Sequence, residues 1–568
     1  SEALIAKNME TVKAGFKLEP WQKVVIKPVY YGNKYYAYII ETYKDIRLVG
    51  APPSSIGKFG SDTDNWVWPR HTGDFSMFRI YADKNNKPAE YSKDNIPYTP
   101  KYFLPVSIKD KKENDFTFVF GFPGRTTEYL PAIAVEKVMT EIDPAMISVR
   151  EVALKTLNEK MRTDAETRIK YASKYASVAN YWKKWIGEVE GLKKSDAVGK
   201  KKKYEQTLIA KNPQIKPTID QLNNLYNEQS PYSLNRSYYS EVVRNAETLS
   251  LANQYLNFMQ SYEAGKINDQ TLTAFKNRLA GIYQNYNGEL DAKVTAQLLA
   301  LYAEKTPAQF LPANFDQLKE VNRNIDLVEG WSKASVITGR GMYNGATVLT
   351  DIDKVFENPA ELIKTLKSDP IMQWASAMKN SYMTTTEGKY TELQNQIDVL
   401  QKKFMAQQME TDKDRKFFPD ANSTLRVTYG QVKGSNPRDA VSYGYQTHLE
   451  GVMEKYVPGD YEFDVPAKLV NLYNTKDYGI YKDKTGDVPV NFTATNHTTG
   501  GNSGSPALDA YGNLIGLNFD RQWEGTMSDI NFDPRFSRNI MVDTKYILFI
   551  VDKYADAKWL LNEMKIVK

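Results

Sequence analysis

The sequence predicts β-structure split by a large helical insertion, and three observations predict it. Strand-like segments crowd the first 129 residues, they return after residue 417, and the stretch between them places apolar residues three and four apart. The expected domains are therefore 1–129 and 418–568 for the two β portions and 130–417 for a helical one.

Each element has its own local reason. The opening SEALIAKNMETVKAGFKLEP reads as a short helix and lacks the apolar core of a signal peptide. Val24–Tyr31 and Lys34–Tyr43 are rich in β-branched and aromatic residues, and Gly32-Asn33 between them signals a two-residue hairpin turn. Phe75–Asp83 and Asp115–Gly124 continue the pattern, separated by Pro, Asn and Gly. The middle block holds PAIAVEKVMTEI, AMISVREVALKTLNEKM, ELIKTLK and KYTELQNQIDVLQKKFMAQQ, with Glu and Lys on the remaining faces. From Ser423 the runs LRVTYGQVKG, VPVNFTAT, SPALDA and NLIGLNFDRQW restore strand signals, and a helix near Tyr546–Met564 closes the chain.

Composition removes several function classes. The chain has 568 residues, 74 Lys+Arg against 69 Asp+Glu, three His and no Cys. A net charge of +5 leaves no excess with which to grip nucleic acid. Without cysteine there are no disulfides, no thiolate catalysis and no Cys-ligated metal; three histidines make a polyhistidine metal centre improbable, so no metal or other cofactor is expected. No run of eighteen apolar residues is present, so no membrane span is expected. The Lys200–Lys203 run lies between helical segments without interleaved aromatics and reads as a solvated helix end. The Asn-x-Ser/Thr sites at Asn422 and Asn496 carry meaning only on a glycosylating secretory route.

The strongest chemical signal is TTGGNSGSPALDAYGNLIGLNFD, Thr498 to Asp520. A serine flanked as Gly-Asn-Ser-Gly-Ser-Pro and followed by a turn and an apolar strand resembles the nucleophile loop of chymotrypsin-like serine peptidases. Glycines let the backbone fold tightly enough for two N–H groups, those of Gly501 and Ser503, to face one oxyanion. The bland alternative is a polar hairpin turn. Ser505 is the weaker nucleophile candidate, because it lacks the Gly-x pair immediately before it.

A serine nucleophile needs a base, and the base needs an orienter. Asp74, just before a strand in NWVWPRHTGDFSMF, is the candidate orienter; alone it would read as a turn aspartate. His71 is too close to it in sequence for the usual triad geometry, and His448 and His497 fall on the nucleophile's side of the chain. The base is therefore expected to be missing from these residues. Four strand candidates precede the helical block, where a closed barrel half of this class uses about six.

Four segments resemble the bacterial dipeptidyl peptidases 7 and 11: Arg47–Asp83, Phe120–Thr126, Ser177–Gly187 and Thr498–Gly525. The resemblance covers essentially the whole chain. It implies a chymotrypsin-like double β-barrel, its first barrel incomplete here, with an inserted all-helical domain acting as a lid. It implies a serine exopeptidase that releases dipeptides from a free N-terminus, with Ser503 as nucleophile and Asp74 in the triad. It also implies that about 150 residues precede Ser1, carrying the first strands, the histidine and any signal peptide. The amine-binding residues map onto Asn65, Trp66, Asn180 and Asp520, with Arg70 beside them. Arg521 sets the subtype: the type 7 branch has Gly there and takes hydrophobic residues, whereas a planar guanidinium suits an Asp or Glu side chain. The alternative for Arg521 is an exposed strand-end residue paired with Asp520 or Glu524. For Asn180 it is an ordinary helix surface, for Trp66 and Trp68 core packing. His497 is expected to help shape the pocket floor. The partners implied are oligopeptides and a second copy of the chain, and the implied location is the periplasm or cell surface of a bacterium. Two other functions stay open: hydrophobic preference on the same scaffold, and an inert receptor for peptide N-termini.

Overall fold

Most of the β-branched and aromatic runs become strands, because a pleat can bury alternate side chains on one face. The computed structural model describes residues 2–313, 315, 318 and 320–568, and it is mixed α/β. Gln22–Val29 pairs antiparallel with Lys34–Glu41, Val29 opposite Lys34. The turn between them has four residues, Tyr30 to Asn33, where the sequence suggested two. Tyr30, Tyr31 and Gly32 take φ of 52°, 54° and 79°. Asn33 stabilises this turn by donating from its side chain to Tyr30 O and Lys402 O at 2.9 and 2.8 Å. The second acceptor is 369 residues away, beyond the reach of any hairpin rule.

Internal contacts divide the chain into two units, one of residues 1–132, 190–219 and 400–568, the other of 133–189 and 220–399. Every described strand belongs to the first. Its main sheet runs Gln446–His448, Pro489–Ala494, Asn539–Asp543, Leu514–Arg521, Ser505–Leu508, Phe116–Gly121, Arg426–Gln431 in spatial order. Pro489–Ala494 and Asn539–Asp543 are buried at every residue, so they lack the alternation that marks a half-exposed strand. Several of their polar side chains find partners inside the fold, although Asn539 Oδ1 has none among the described residues. Asn491 accepts from Thr72 N and donates to Thr72 O, both at 2.9 Å, and Asp543 takes Lys111 Nζ at 2.8 Å. The expected closing helix is real only over Thr544–Phe549, continuing as a π-turn to Tyr554 and a 3₁₀ segment at Lys558–Glu563.

Two helical stretches of the 130–417 block, 190–219 and 400–417, thus group with the strands. Side chains explain the grouping. Lys201 donates to Glu128 O and Leu130 O at 2.7 and 3.1 Å, Glu205 accepts from Ala132 N at 2.7 Å, and Tyr204 reaches Asp412 at 3.0 Å. The lysine run is therefore not wholly a solvated helix end: Lys202 and Lys203 are exposed, but Lys201 ties down main-chain carbonyls and Lys200 pairs with Asp533.

The second unit is helical, and its core is aromatic. Phe258 stacks on Phe275 with ring centroids 4.6 Å apart, and Phe356 and Tyr255 close around them. A buried Arg150–Glu241 pair at 2.7 Å sits at its edge, Arg150 also donating to Val178 O.

Gly516 offers a test of the sheet packing. A Cβ there would stand 2.6 Å from the Phe492 ring and 2.7 Å from Val542 O. Gly516→Ala is expected to destabilise the protein by about 2 kcal/mol. Denaturant titration checks this; a midpoint equal to the parent's contradicts the packing.

Candidate active site

The bend before Ser505–Leu508 is built by asparagine. Asn502 Oδ1 accepts from Thr499 N at 3.0 Å while its own N–H returns to Thr499 O, also at 3.0 Å. Ser505 N donates to Asn502 O, and Asn518 clasps that carbonyl from the next strand at 3.2 Å. Gly504 N donates to Asn518 O at 2.8 Å. Gly501 has φ +102°, and a Cβ on it would run into Phe122 O and stand 2.8 Å from Gly124 N. Glycine is required there for both reasons.

Once these bonds are made, the N–H groups of Gly501 and Ser503 have no acceptor among the described residues. Ser503 is exposed, and its Oγ donates to Phe519 O at 3.3 Å. An accessible hydroxyl flanked by two free amides can attack a carbonyl and hold the resulting oxyanion. Ser505, by contrast, is buried against Gly121 and Asn502, so packing excludes it as a nucleophile.

Phe519 leads directly to the second cluster. Its neighbour Asp520 accepts from Arg70 Nη2 at 2.6 Å, from Trp66 N at 3.3 Å and from Arg521 N at 2.8 Å. The Arg70 guanidinium lies 5.5 Å from the Phe519 ring centroid and donates to Val67 O. Arg70, four residues before Asp74, and Ser503 are thus bonded to the adjacent residues 520 and 519. Asp74 is open to solvent on one side and crowded on the others. Burial pushes its pKa up, Arg70 opposes the rise and the Asp520 charge adds to it. Trp66 holds φ +66°, an unusual conformation for a bulky residue, with Asn65 half-buried beside it. Trp68 is core, its indole donating to Gly444 O at 2.9 Å.

Arg521 is neither exposed nor paired through its side chain with Asp520 or Glu524. It is 6% exposed, its Nη1 donating to Asp529 and Ser528 Oγ, each at 2.7 Å, and its guanidinium 5.5 Å from the Trp66 ring. Sequence reading missed Asp529 and Ser528, since nothing in their spacing marks them. Asn180 lies half-buried on the helix Ala165–Lys194, in the part of it that belongs to the second unit, next to buried Val178 and Ala179.

The three histidines are engaged elsewhere. His71 is buried with its Nε2 against Gly451, and burial lowers its pKa to about 3. His448 pairs with Asp483 at 2.9 Å. His497 donates from Nε2 to Ser528 O at 2.7 Å and stacks on Phe532; through Ser528 it supports the Arg521 side of the site. None of the three bonds Ser503. Among the described residues no group of acidic and histidine side chains could hold a metal ion, and no helix is long and apolar enough to cross a membrane.

The model of a family described as Peptidase S46 matches residues 1–566. The chain is 49% identical over 573 residues to the Asp/Glu-specific dipeptidyl-peptidase of Flavobacterium psychrophilum, spanning 99% of this chain and 78% of that protein. It is 38% identical to the dipeptidyl-peptidase 7 of Phocaeicola vulgatus, covering 95% and 75%. The crystal structure of Porphyromonas endodontalis DPP11 in complex with dipeptide Arg-Glu superposes with a TM-score of 0.83 at 33% identity, covering 100% of this chain and 80% of that one.

The burial of His71 has a signed consequence. Its pKa falls from 6.5 to about 3 on folding, so between those values the unfolded chain binds the extra proton. That share of stability is complete above pH 6.5 and is lost as pH falls towards 3, at up to about 1.4 kcal/mol per pH unit. His71→Asn is expected to flatten the decline in melting temperature between pH 7 and 5. An unchanged slope would place the neutral histidine elsewhere.

Proposed function

The chain belongs to the Peptidase S46 family, and on that premise we propose that it is a serine exopeptidase that releases dipeptides from the free N-terminus of oligopeptides, preferring Asp or Glu as the second residue. The observation that carries the preference is Arg521, buried and adjacent in sequence to an Asp520 fixed by Arg70, at the end of the strand that also meets Ser503. Exopeptidase specificity needs a charge for the substrate ammonium and a fixed distance from it to the scissile bond. Asp520 supplies the charge and Asn65 and Trp66 flank it. Arg521 stands one residue on, suited to the next side chain.

Ser503 Oγ attacks the carbonyl after the second residue, and its proton passes through a base to the departing amine. The Gly501 and Ser503 amides hold the oxyanion, each worth about 3 kcal/mol in such sites. Water then releases the dipeptide. Asp74 orients the histidine base, a role that His71, His448 and His497 are not placed to fill. The strands belong to a chymotrypsin-like double barrel; the enzyme works as a homodimer in the periplasm or at the cell surface. These three statements rest on the family resemblance.

A second reading, a receptor that binds peptide N-termini without cleaving them, draws on the lack of any histidine at Ser503. Fluorogenic X-Asp, X-Glu and X-Met dipeptides separate the readings. The 568-residue chain alone is expected to be at least about a thousandfold slower than the Flavobacterium relative. Joined to the part of the Flavobacterium relative that lies outside their match, it should regain turnover, with X-Asp at least about tenfold ahead of X-Met, and Ser503→Ala should abolish both cleavage and phosphonate labelling. Faster cleavage of X-Met would favour hydrophobic preference, and an inert fusion the receptor.

A further inference from the structure

Arg521 meets its proposed ligand with one end of the fork already occupied. Nη1 donates to Asp529 Oδ1 at 2.7 Å, to Ser528 Oγ at 2.7 Å and to Thr498 O at 3.3 Å, and Nη2 reaches Asp529 Oδ2 at 3.3 Å. Nη1 has only two hydrogens for three acceptors, so that end is saturated. Nε has no acceptor among the described residues. A guanidinium presents two edges to a carboxylate, the Nη1/Nη2 end and the Nε/Nη2 side. Asp529 holds the first and leaves the second.

Charge matters as much as geometry here. Arg521 and Asp529 are both sheltered, with side chains 7% and 18% exposed, so their charges are poorly screened and largely cancel for anything beside them. An uncompensated guanidinium in such a place would hold a carboxylate tightly. The released dipeptide keeps its acidic side chain after cleavage, so tight holding would slow its departure.

We propose that Asp529 is a built-in counter-carboxylate of the acid-binding subsite: it fixes the Arg521 fork by one end and limits how tightly an acidic side chain is held on the other. The inference rests on the reading of Arg521 as the receiver of Asp or Glu. Asp529 is a positioning residue, acting through Arg521 without touching the reacting atoms.

Binding of product dipeptides tests this without requiring turnover. The full chain is titrated calorimetrically with Arg-Glu and with its neutral isostere Arg-Gln, and wild type is expected to prefer Arg-Glu. Asp529→Asn keeps an oxygen for Nη1 and removes the charge. It should tighten Arg-Glu about tenfold and move Arg-Gln by less than about twofold. Arg-Glu affinity unchanged or weakened in folded D529N overturns the proposal. Arg521→Met should erase the Glu-over-Gln preference. If the preference survives there, or wild type binds neither dipeptide, the acid-subsite reading itself falls and takes the proposal with it. Should circular dichroism show D529N unfolded, Asp529→Glu is measured instead. With its charge retained, the Glu-to-Gln ratio should stay within about threefold of wild type, and a tenfold rise overturns the proposal.

Discussion

The ion pair between Arg70 and Asp520 is the contact through which the site is assembled. It joins the loop carrying Asn65, Trp66 and Asp74 to the end of the strand that carries Phe519 and Arg521. Both side chains are nearly buried, a costly place for charge unless the remaining donors and acceptors are used. Several are used: Val67 O accepts from Arg70 Nε, and Trp66 N and Arg521 N both donate to Asp520. Removing one partner alone would strand the other charge at a cost of several kcal/mol.

Around this pair, rigidity comes from amides. Asn502, Asn518 and Asn491 each satisfy main-chain groups that a tight bend or a strand end would otherwise leave open. The bend at Ser503 is therefore held by bonds on both flanks, while the Gly501 and Ser503 amides have no acceptor among the described residues. Preorganised donors of this kind do not need to reorient when charge develops, and electrostatic catalysis draws on that.

The histidines show how the same residue type serves packing. His71 lies three residues from Asp74, yet its ring fills the space a glycine leaves at 451. His497 lies six residues from Ser503, yet its Nε2 proton is committed to Ser528 O. Nearness along the chain makes neither a base: His71 packs as a buried neutral ring, and His497 serves the Arg521 side of the site through Ser528. The four-residue turn at Tyr30–Asn33 and the half-buried Lys201 are similar cases, in which a local pattern was overruled by a partner far away in sequence.

Local chemistry made some features legible from the residues alone. Alternation marks a half-buried strand, three-and-four spacing marks a helix, and Gly-Asn-Ser-Gly-Ser-Pro can be little other than a tight bend presenting a hydroxyl. Those properties depend on neighbours within a few positions, so the chain carries them openly. Partnerships across the fold are different. Neither the fully buried strand Asn539–Asp543, nor the inward turn of Arg521 towards Asp529, nor the grouping of residues 190–219 with the sheet follows from spacing. Each is decided when apolar burial brings distant segments together and buried charges and amides must find partners among whatever lies within reach.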